Sequence, residues 1–185
     1  MLWNEHSNLE GRHAMLAPSG YHWLNYSDDK METVYRNMMA KERGTRLHAW
    51  AEETIKLGRK QPRAEETLCM YINDAIRYHM RVEQPLMFSS NCFGHADAIS
   101  FDEKVLRIHD LKTGETTAHM EQLEVYAALF CLEYNKDPHG FLTELRIYQT
   151  DSIAVYKPEP EELIDIMNRI VHLDEIIERL KREGI

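Results

Sequence analysis

A chain of 185 residues, 43% of them hydrophobic, is long enough to bury one core, and no apolar stretch reaches the length of a bilayer span. Three cysteines (Cys69, Cys92, Cys131) without a CxxC pair argue against a disulfide framework and a zinc ribbon. A net charge of −9 counts against a general nucleic-acid binder, although residues 30–82 carry 11 Lys/Arg against 7 Asp/Glu, a local balance of +4.

The start, Met1-Leu2-Trp3-Asn4-Glu5-His6, has no basic region followed by an apolar run. No secretory signal or membrane association is therefore expected, and the expected location is the cytoplasm. One domain over residues 1–185 is expected. Residues 1–27 read as irregular, with a short helix or docked loop in the aromatic-rich stretch Ala17 to Tyr26. Ser27-Asp28-Asp29 is a helix start, and the helix is expected to run to about Gly58. Val34, Met38, Leu47, Trp50, Ala51 and Ile55 are its candidate core contacts, with Gly44 as a possible interruption. Pro62 is expected to open a second helix, with Leu68, Ile72, Ala75, Ile76 and Met80 as its apolar stripe.

The texture changes at Glu83. Leu86-Met87-Phe88, Phe93 to Ser100 and Val105 to Leu111 read as three strands, the last two joined by a turn at Asp102-Glu103-Lys104. Thr116-Thr117 is expected to cap a helix reaching about Glu133, with Leu123, Tyr126, Ala127 and Phe130 inward. A loop over 135–140 precedes two further strands, Leu142 to Gln149 and Ile153 to Tyr156. After Pro158 and Pro160 a last helix is expected over 159–182. Its Leu163, Ile166, Ile170, Leu173, Ile177 and Leu180 follow a short heptad pattern, which either covers the sheet or pairs two copies of the chain. The order predicts an α/β fold with a mixed central sheet flanked by helices.

The candidate chemistry lies in Gly94-His95-Ala96-Asp97 and Asp110-Leu111-Lys112-Thr113-Gly114. Asp110 and Lys112 are two apart, so on a strand they share a face. Asp97 lies one strand earlier, across the turn. Two carboxylates and an ammonium then converge where a divalent cation and a water can sit. The bland reading of Asp-Leu-Lys-Thr-Gly is an exposed strand end followed by a turn, but the strand before Asp110 is otherwise apolar. His48 alone reads as a half-buried helix histidine, Glu83 as a loop carboxylate, and Gln122 with Tyr126 as neighbours on one helix face.

Taken in order, Gly44-x-x-x-His48, Glu83, Gly94-x-x-Asp97, Asp110-x-Lys112-Thr113-Gly114 and Gln122-x-x-x-Tyr126 resemble the RecB-like branch of the PD-(D/E)XK nuclease superfamily. The resemblance spans roughly residues 44–130, about half of the chain. It implies a restriction-endonuclease-like core (αβββαβ), with extra N-terminal helices and the long C-terminal helix outside it. It also implies a metal site with His48, Asp97, Asp110 and the backbone carbonyl of Leu111 as ligands, and Lys112 as the catalytic lysine. Glu83 would support a second ion, and Gln122 and Tyr126 would orient DNA and the active site. Mg²⁺ suits the oxygen ligands and Mn²⁺ the histidine nitrogen. Relatives with an iron–sulfur cluster carry four cysteines, three of them near the C-terminus. Here Cys131 is the last of three, so no cluster is expected.

The expected activity is metal-dependent hydrolysis of DNA phosphodiester bonds at ends or single strands, in recombination, repair or phage DNA metabolism. The expectation is a stand-alone nuclease domain of phage or mobile-element size, which would act in a host cytoplasm or within a larger DNA-processing complex. Arg36, Lys41, Arg43, Arg46, Lys56, Arg59, Lys60 and Arg63 are candidate phosphate contacts, and Tyr21, Trp23 and Tyr26 candidate base-stacking rings. The competing reading is a nuclease fold with weak or lost catalysis that binds DNA or a protein partner.

Overall fold

The computed structural model describes residues 14–115 and 117–184. The first half of the predicted irregular segment, 1–13, and Thr116 lie outside the described residues. The chain divides into two compact units, 1–43 and 44–185.

In the first unit, a 3₁₀ segment Pro18–Asn25 takes the place predicted for a short helix or docked loop. The Trp23 indole N–H donates to the Ala17 carbonyl. Helix α1, Asp28–Lys56, starts where expected: Ser27 Oγ accepts from the Lys30 N–H, and Asp28 and Asp29 sit at the positive end of the helix dipole. No described residue of this unit is fully buried, and Met38 is exposed rather than a core contact.

The second unit opens within α1, which runs through Gly44 without interruption. Helix α2 spans Thr67–Arg77, followed by strands β1 Arg81–Ser89, β2 Cys92–Phe101 and β3 Val105–Leu111, helix α3 Glu121–Tyr134, strands β4 Leu142–Gln149 and β5 Ser152–Tyr156, and helix α4 Pro160–Arg182. The strands form one mixed sheet in the order β1-β2-β3-β4-β5. Only β3 and β4 are parallel, and α3 is the crossover such a pair requires.

Alternation along the strands divides the core. Leu106, Ile108, Leu145 and Ile147 pack with Leu123, Ala127 and Phe130 of α3 and Leu163 of α4. Leu111 and Tyr148, of opposite parity, pack with Ala51 and Ile55 of α1 and Tyr71, Ile72 and Ala75 of α2. The result is an α/β fold with a five-stranded mixed sheet between helices.

Several predicted boundaries shift for tertiary reasons. Helix α2 begins at Thr67, not Pro62, because its cap comes from 84 residues away: Asp151 Oδ1 accepts from both the Thr67 N–H and its hydroxyl. Asp151 belongs to the β4–β5 turn, where Thr150 and Asp151 both have positive φ, as a tight hairpin demands. Met80 is buried but follows the helix rather than belonging to it. Helix α3 begins at Glu121, after a Met120 N-cap, rather than at Thr116-Thr117. Strand β1 starts at Arg81, ahead of the expected Leu86. Trp50 is 45% exposed, so the α1 core face narrows to Ala51 and Ile55 with a half-buried Leu47. Along α4 only Leu163 is fully buried, and Leu173 and Ile177 are exposed.

A buried polar network fastens α2 to the parallel strands. Tyr148 Oη donates to Asp74 Oδ2 at 2.8 Å and lies 3.2 Å from His109 Nδ1, while Arg146 donates to the same Asp74 oxygen at 2.9 Å. His109 is fully buried, and burial, aided by the nearby Arg146 and Arg107 charges, lowers its pKa to about 3. As pH falls below about 6.5, the unfolded chain takes up a proton that the native imidazole refuses. Stability from this group is therefore complete above that pH and is lost by about 1.4 kcal/mol per pH unit on acidification. A His109→Gln variant should show a shallower loss of stability between about pH 6 and 4 than the parent, read by urea unfolding. Parallel curves would contradict a neutral buried imidazole. In the same assay Leu145→Ala should cost about 2–5 kcal/mol and Leu173→Ala less than about 1. Equal losses would show that α4 contributes a continuous buried seam.

Candidate metal centre

The parity of β3 places Asp110 in line with Leu106 and Ile108, on the face covered by α3. Asp110 is inside the strand rather than just beyond it, and is 3% exposed. Its buried carboxylate meets the Lys112 ammonium, with Nζ 3.0 Å from Oδ1 and 2.9 Å from Oδ2. Only the Oδ1 contact has hydrogen-bond alignment, which leaves Oδ2 buried without a hydrogen-bond partner. Lys112 also donates to Gln122 Oε1 at 3.2 Å, and its own backbone N–H donates to the Tyr148 carbonyl, extending the β3–β4 pairing by one residue.

On the neighbouring strand, Asp97 Oδ2 accepts the Leu111 N–H at 2.9 Å. This contact uses the Leu111 N–H and is separate from the carbonyl implied as a ligand. The same Asp97 oxygen lies 3.5 Å from His48 Nδ1 of α1. Glu83 completes a trio: one ligand atom each from His48, Glu83 and Asp97 lies within 4.8 Å of the others. Asp110, named as a ligand from the resemblance, is outside this trio, its carboxylate held by Lys112.

Glu83 reaches the trio through unusual backbone. It has φ +50° in the middle of β1, a left-handed value that costs a non-glycine residue of order 1 kcal/mol or more. Around it the hairpin changes layers: Ala96 packs on the α3 side and Ala98, two residues on, packs on the α2 side. Strain at this point coincides with the convergence of three ligand-type side chains.

Two motif glycines permit close approach. A Cβ on Gly94 would stand 2.9 Å from Tyr126 Cε1, so the tyrosine ring lies directly against β2. A Cβ on Gly44 would stand 2.8 Å from Thr113 Oγ1, so α1 sits against the loop after Lys112. The glycine nearest each motif thus serves packing, and Gln122 and Tyr126, one turn apart on α3, both face the site.

The electrostatics are crowded. Burial first, and then the Asp110 charge, raises the Asp97 pKa to about 6, with Glu83 adding to the rise while the Leu111 amide and His48 oppose it. Tyr71 of α2, 3% exposed, is pushed well above an ordinary phenol by burial and by Asp97, Asp110 and Glu83. Sequence reading missed Tyr71, although it lies four residues before Ala75 on the apolar face of α2. Among the proposed phosphate contacts, Arg36 and Lys56 are paired to Glu32 and Glu52 one turn earlier.

The residues present suit a hard or borderline divalent cation. They offer carboxylates and one imidazole, a buried carboxylate oxygen lacks a hydrogen bond, and repulsion is unrelieved at Asp97. The 3.5 Å between His48 and Asp97 is long for a hydrogen bond but close to the roughly 3 Å separating two adjacent ligands of one small ion.

Because the folded Asp97 pKa is above its ordinary value, the native state binds the extra proton between about pH 4 and 6, and stability from this group falls as pH rises through that window. Asp97→Asn keeps an acceptor for the Leu111 amide and removes a charge. It should raise Tm in EDTA at neutral pH and abolish the Tm increase given by Mn²⁺ to the parent. A variant still stabilised by Mn²⁺ would exclude Asp97 as a ligand.

No family model matches the chain, and no curated protein is similar to it. Among solved structures it has a weak likeness to the crystal structure of SSO0001. That match has 11% identity and a TM-score of 0.34, and it covers 77% of this chain and 68% of that one.

Proposed function

We propose that this chain is a divalent-metal-dependent nuclease that hydrolyses DNA phosphodiester bonds, with the core of the RecB-like branch of the PD-(D/E)XK superfamily. The observation that carries the reading is the convergence of His48, Glu83 and Asp97 beside a buried Asp110–Lys112 pair. Supporting it, the five motif segments that resemble the family come from α1, β1, β2, β3 and α3 and are brought to one end of the sheet. The succession of a helix, three strands, a crossover helix and a fourth strand matches the expected αβββαβ order.

In this reading His48, Glu83 and Asp97 hold Mg²⁺ or Mn²⁺, and Asp110, ion-paired to Lys112 at 2.9 Å, reaches the ion only where that pair opens. The ion, when bound, lowers the pKa of a water and neutralises charge on the phosphate. Lys112 places a fixed ammonium next to the site, where it orients the attacking water or stabilises developing negative charge. Gln122 fixes that ammonium, and Tyr126 seats α3 against β2 so that Gln122 reaches it. DNA is the polymer the resemblance implies, with ends or single strands as the preferred sites.

The test is cleavage of plasmid and of end-labelled single- and double-stranded oligonucleotides with Mg²⁺, Mn²⁺ or EDTA. Cleavage is expected with either metal and none with EDTA. Lys112→Ala and Asp110→Asn should each lower the rate by about 10²–10³-fold, as loss of one preorganised charge does elsewhere, with circular dichroism showing that each variant is still folded. Parent-like cleavage by Lys112→Ala would sink the assignment, and binding of DNA without cleavage under any metal would favour a non-catalytic module.

A further inference from the structure

A cavity of about 680 Å³ opens between the C-terminal end of α2, the start of β1, the end of β2 and the last turns of α3. None of its lining residues belongs to the carboxylate cluster. Its volume is in the range of small-molecule sites. Two of its lining groups are buried polar atoms without a hydrogen bond, Ser100 Oγ and Arg107 Nε, the latter lying 3.8 Å from Glu144 Oε1 in an ion pair. Buried donors left unmade cost free energy, so a native pocket that keeps two of them calls for a ligand that satisfies them.

The charge around the cavity is positive. Arg107 is shared between Asp102, at 3.2 Å, and Glu144, at 3.8 Å, and lies over the Tyr78 ring at 4.6 Å, so the uncommitted charge comes from its neighbours. Arg77 sits over the same ring at 5.4 Å, and neither it nor Arg81 has a carboxylate partner among the described residues. Two uncommitted guanidiniums at one pocket suit a phosphate, which they bind in bidentate fashion. The remaining wall is aromatic: Phe101, Phe130 and Tyr134 follow one another in tilted contact, with ring centroids 5.0 and 5.1 Å apart. Tyr134, at the end of the row, is 47% exposed and offers a free face for a planar ring.

The geometry points to a binding site for a phosphorylated aromatic small molecule of the nucleoside monophosphate class. Its phosphate meets Arg77 and Arg81, its ring stacks on Tyr134, and its polar edge reaches Ser100 and Arg107. This assignment does not rest on the nuclease reading, and it is tested with EDTA present so that the metal centre takes no part.

Isothermal titration of the full chain with dAMP, deoxyadenosine and inorganic phosphate supplies the readout, with circular dichroism confirming that each variant is folded. dAMP should bind, and deoxyadenosine and phosphate should each bind more weakly. Arg81→Ala should weaken dAMP by at least about tenfold, as loss of one charge-assisted contact does, and Tyr134→Ala should also weaken it. Asp97→Asn should leave dAMP binding unchanged. Absence of dAMP binding at millimolar concentration, equal affinity in Arg81→Ala, deoxyadenosine or phosphate binding as tightly as dAMP, or loss of binding in Asp97→Asn would each overturn the assignment.

Discussion

Two carboxylates on neighbouring strands, one buried and one largely buried, are held close together, and the surrounding structure is arranged around their repulsion. Asp110 is stabilised by an ammonium two residues along its own strand, and Asp97 by an amide of the adjacent strand and an imidazole from α1. Burial, and after it the part of the repulsion these contacts leave in place, raises the Asp97 pKa to about 6. In the proposed nuclease a cation supplies the missing counter-charge, so the free protein gives up stability at neutral pH for a site ready to bind metal. The left-handed backbone at Glu83 is a second local cost at the same place.

The scaffold keeps that arrangement from relaxing. Parallel pairing of β3 with β4 continues through Lys112, so the lysine backbone is fixed before its side chain reaches Asp110. Asp74, Tyr148, His109 and Arg146 tie α2 to those two strands, and Asp151 ties the start of α2 to the β4–β5 turn. On the other face Tyr126 fits where Gly94 has no side chain. Each fastening joins elements distant in sequence, so an error in one would move the site as a whole.

Much of the architecture was legible from local signals. Alternation and turn residues located β2 to β5 to within a residue, and Pro160 with Glu161 and Glu162 marked the start of α4, where Glu159 and Glu162 form a capping box. The failures share a cause. Pro62 is a good opening residue for a helix, but the cap that starts α2 is Asp151, which no local window contains. Thr116-Thr117 has cap chemistry, yet the chain continues through the loop that carries Thr113 and Gly114 beside the site before α3 begins. Trp50 is expected on the core face, but the buried face of α1 consists of Ala51, Thr54 and Ile55 and leaves Trp50 45% exposed.

The sequence by itself determined the residue types of the site and their order along the chain: His48, Glu83, Asp97, Asp110, Lys112, Gln122 and Tyr126. It also set the parity that turns Asp110 and Lys112 to one side, because strand periodicity is a local property of the backbone. Only the tertiary structure decided how they divide. Glu83 joins His48 and Asp97 while Asp110 is taken by Lys112, the buried Tyr71 feels all three carboxylates, and a separate basic and aromatic cavity forms at the far ends of α2 and α3. Distances between strands, burial and the resulting charge repulsion depend on how helices pack across a sheet, and that information is spread over contacts the linear sequence does not place side by side.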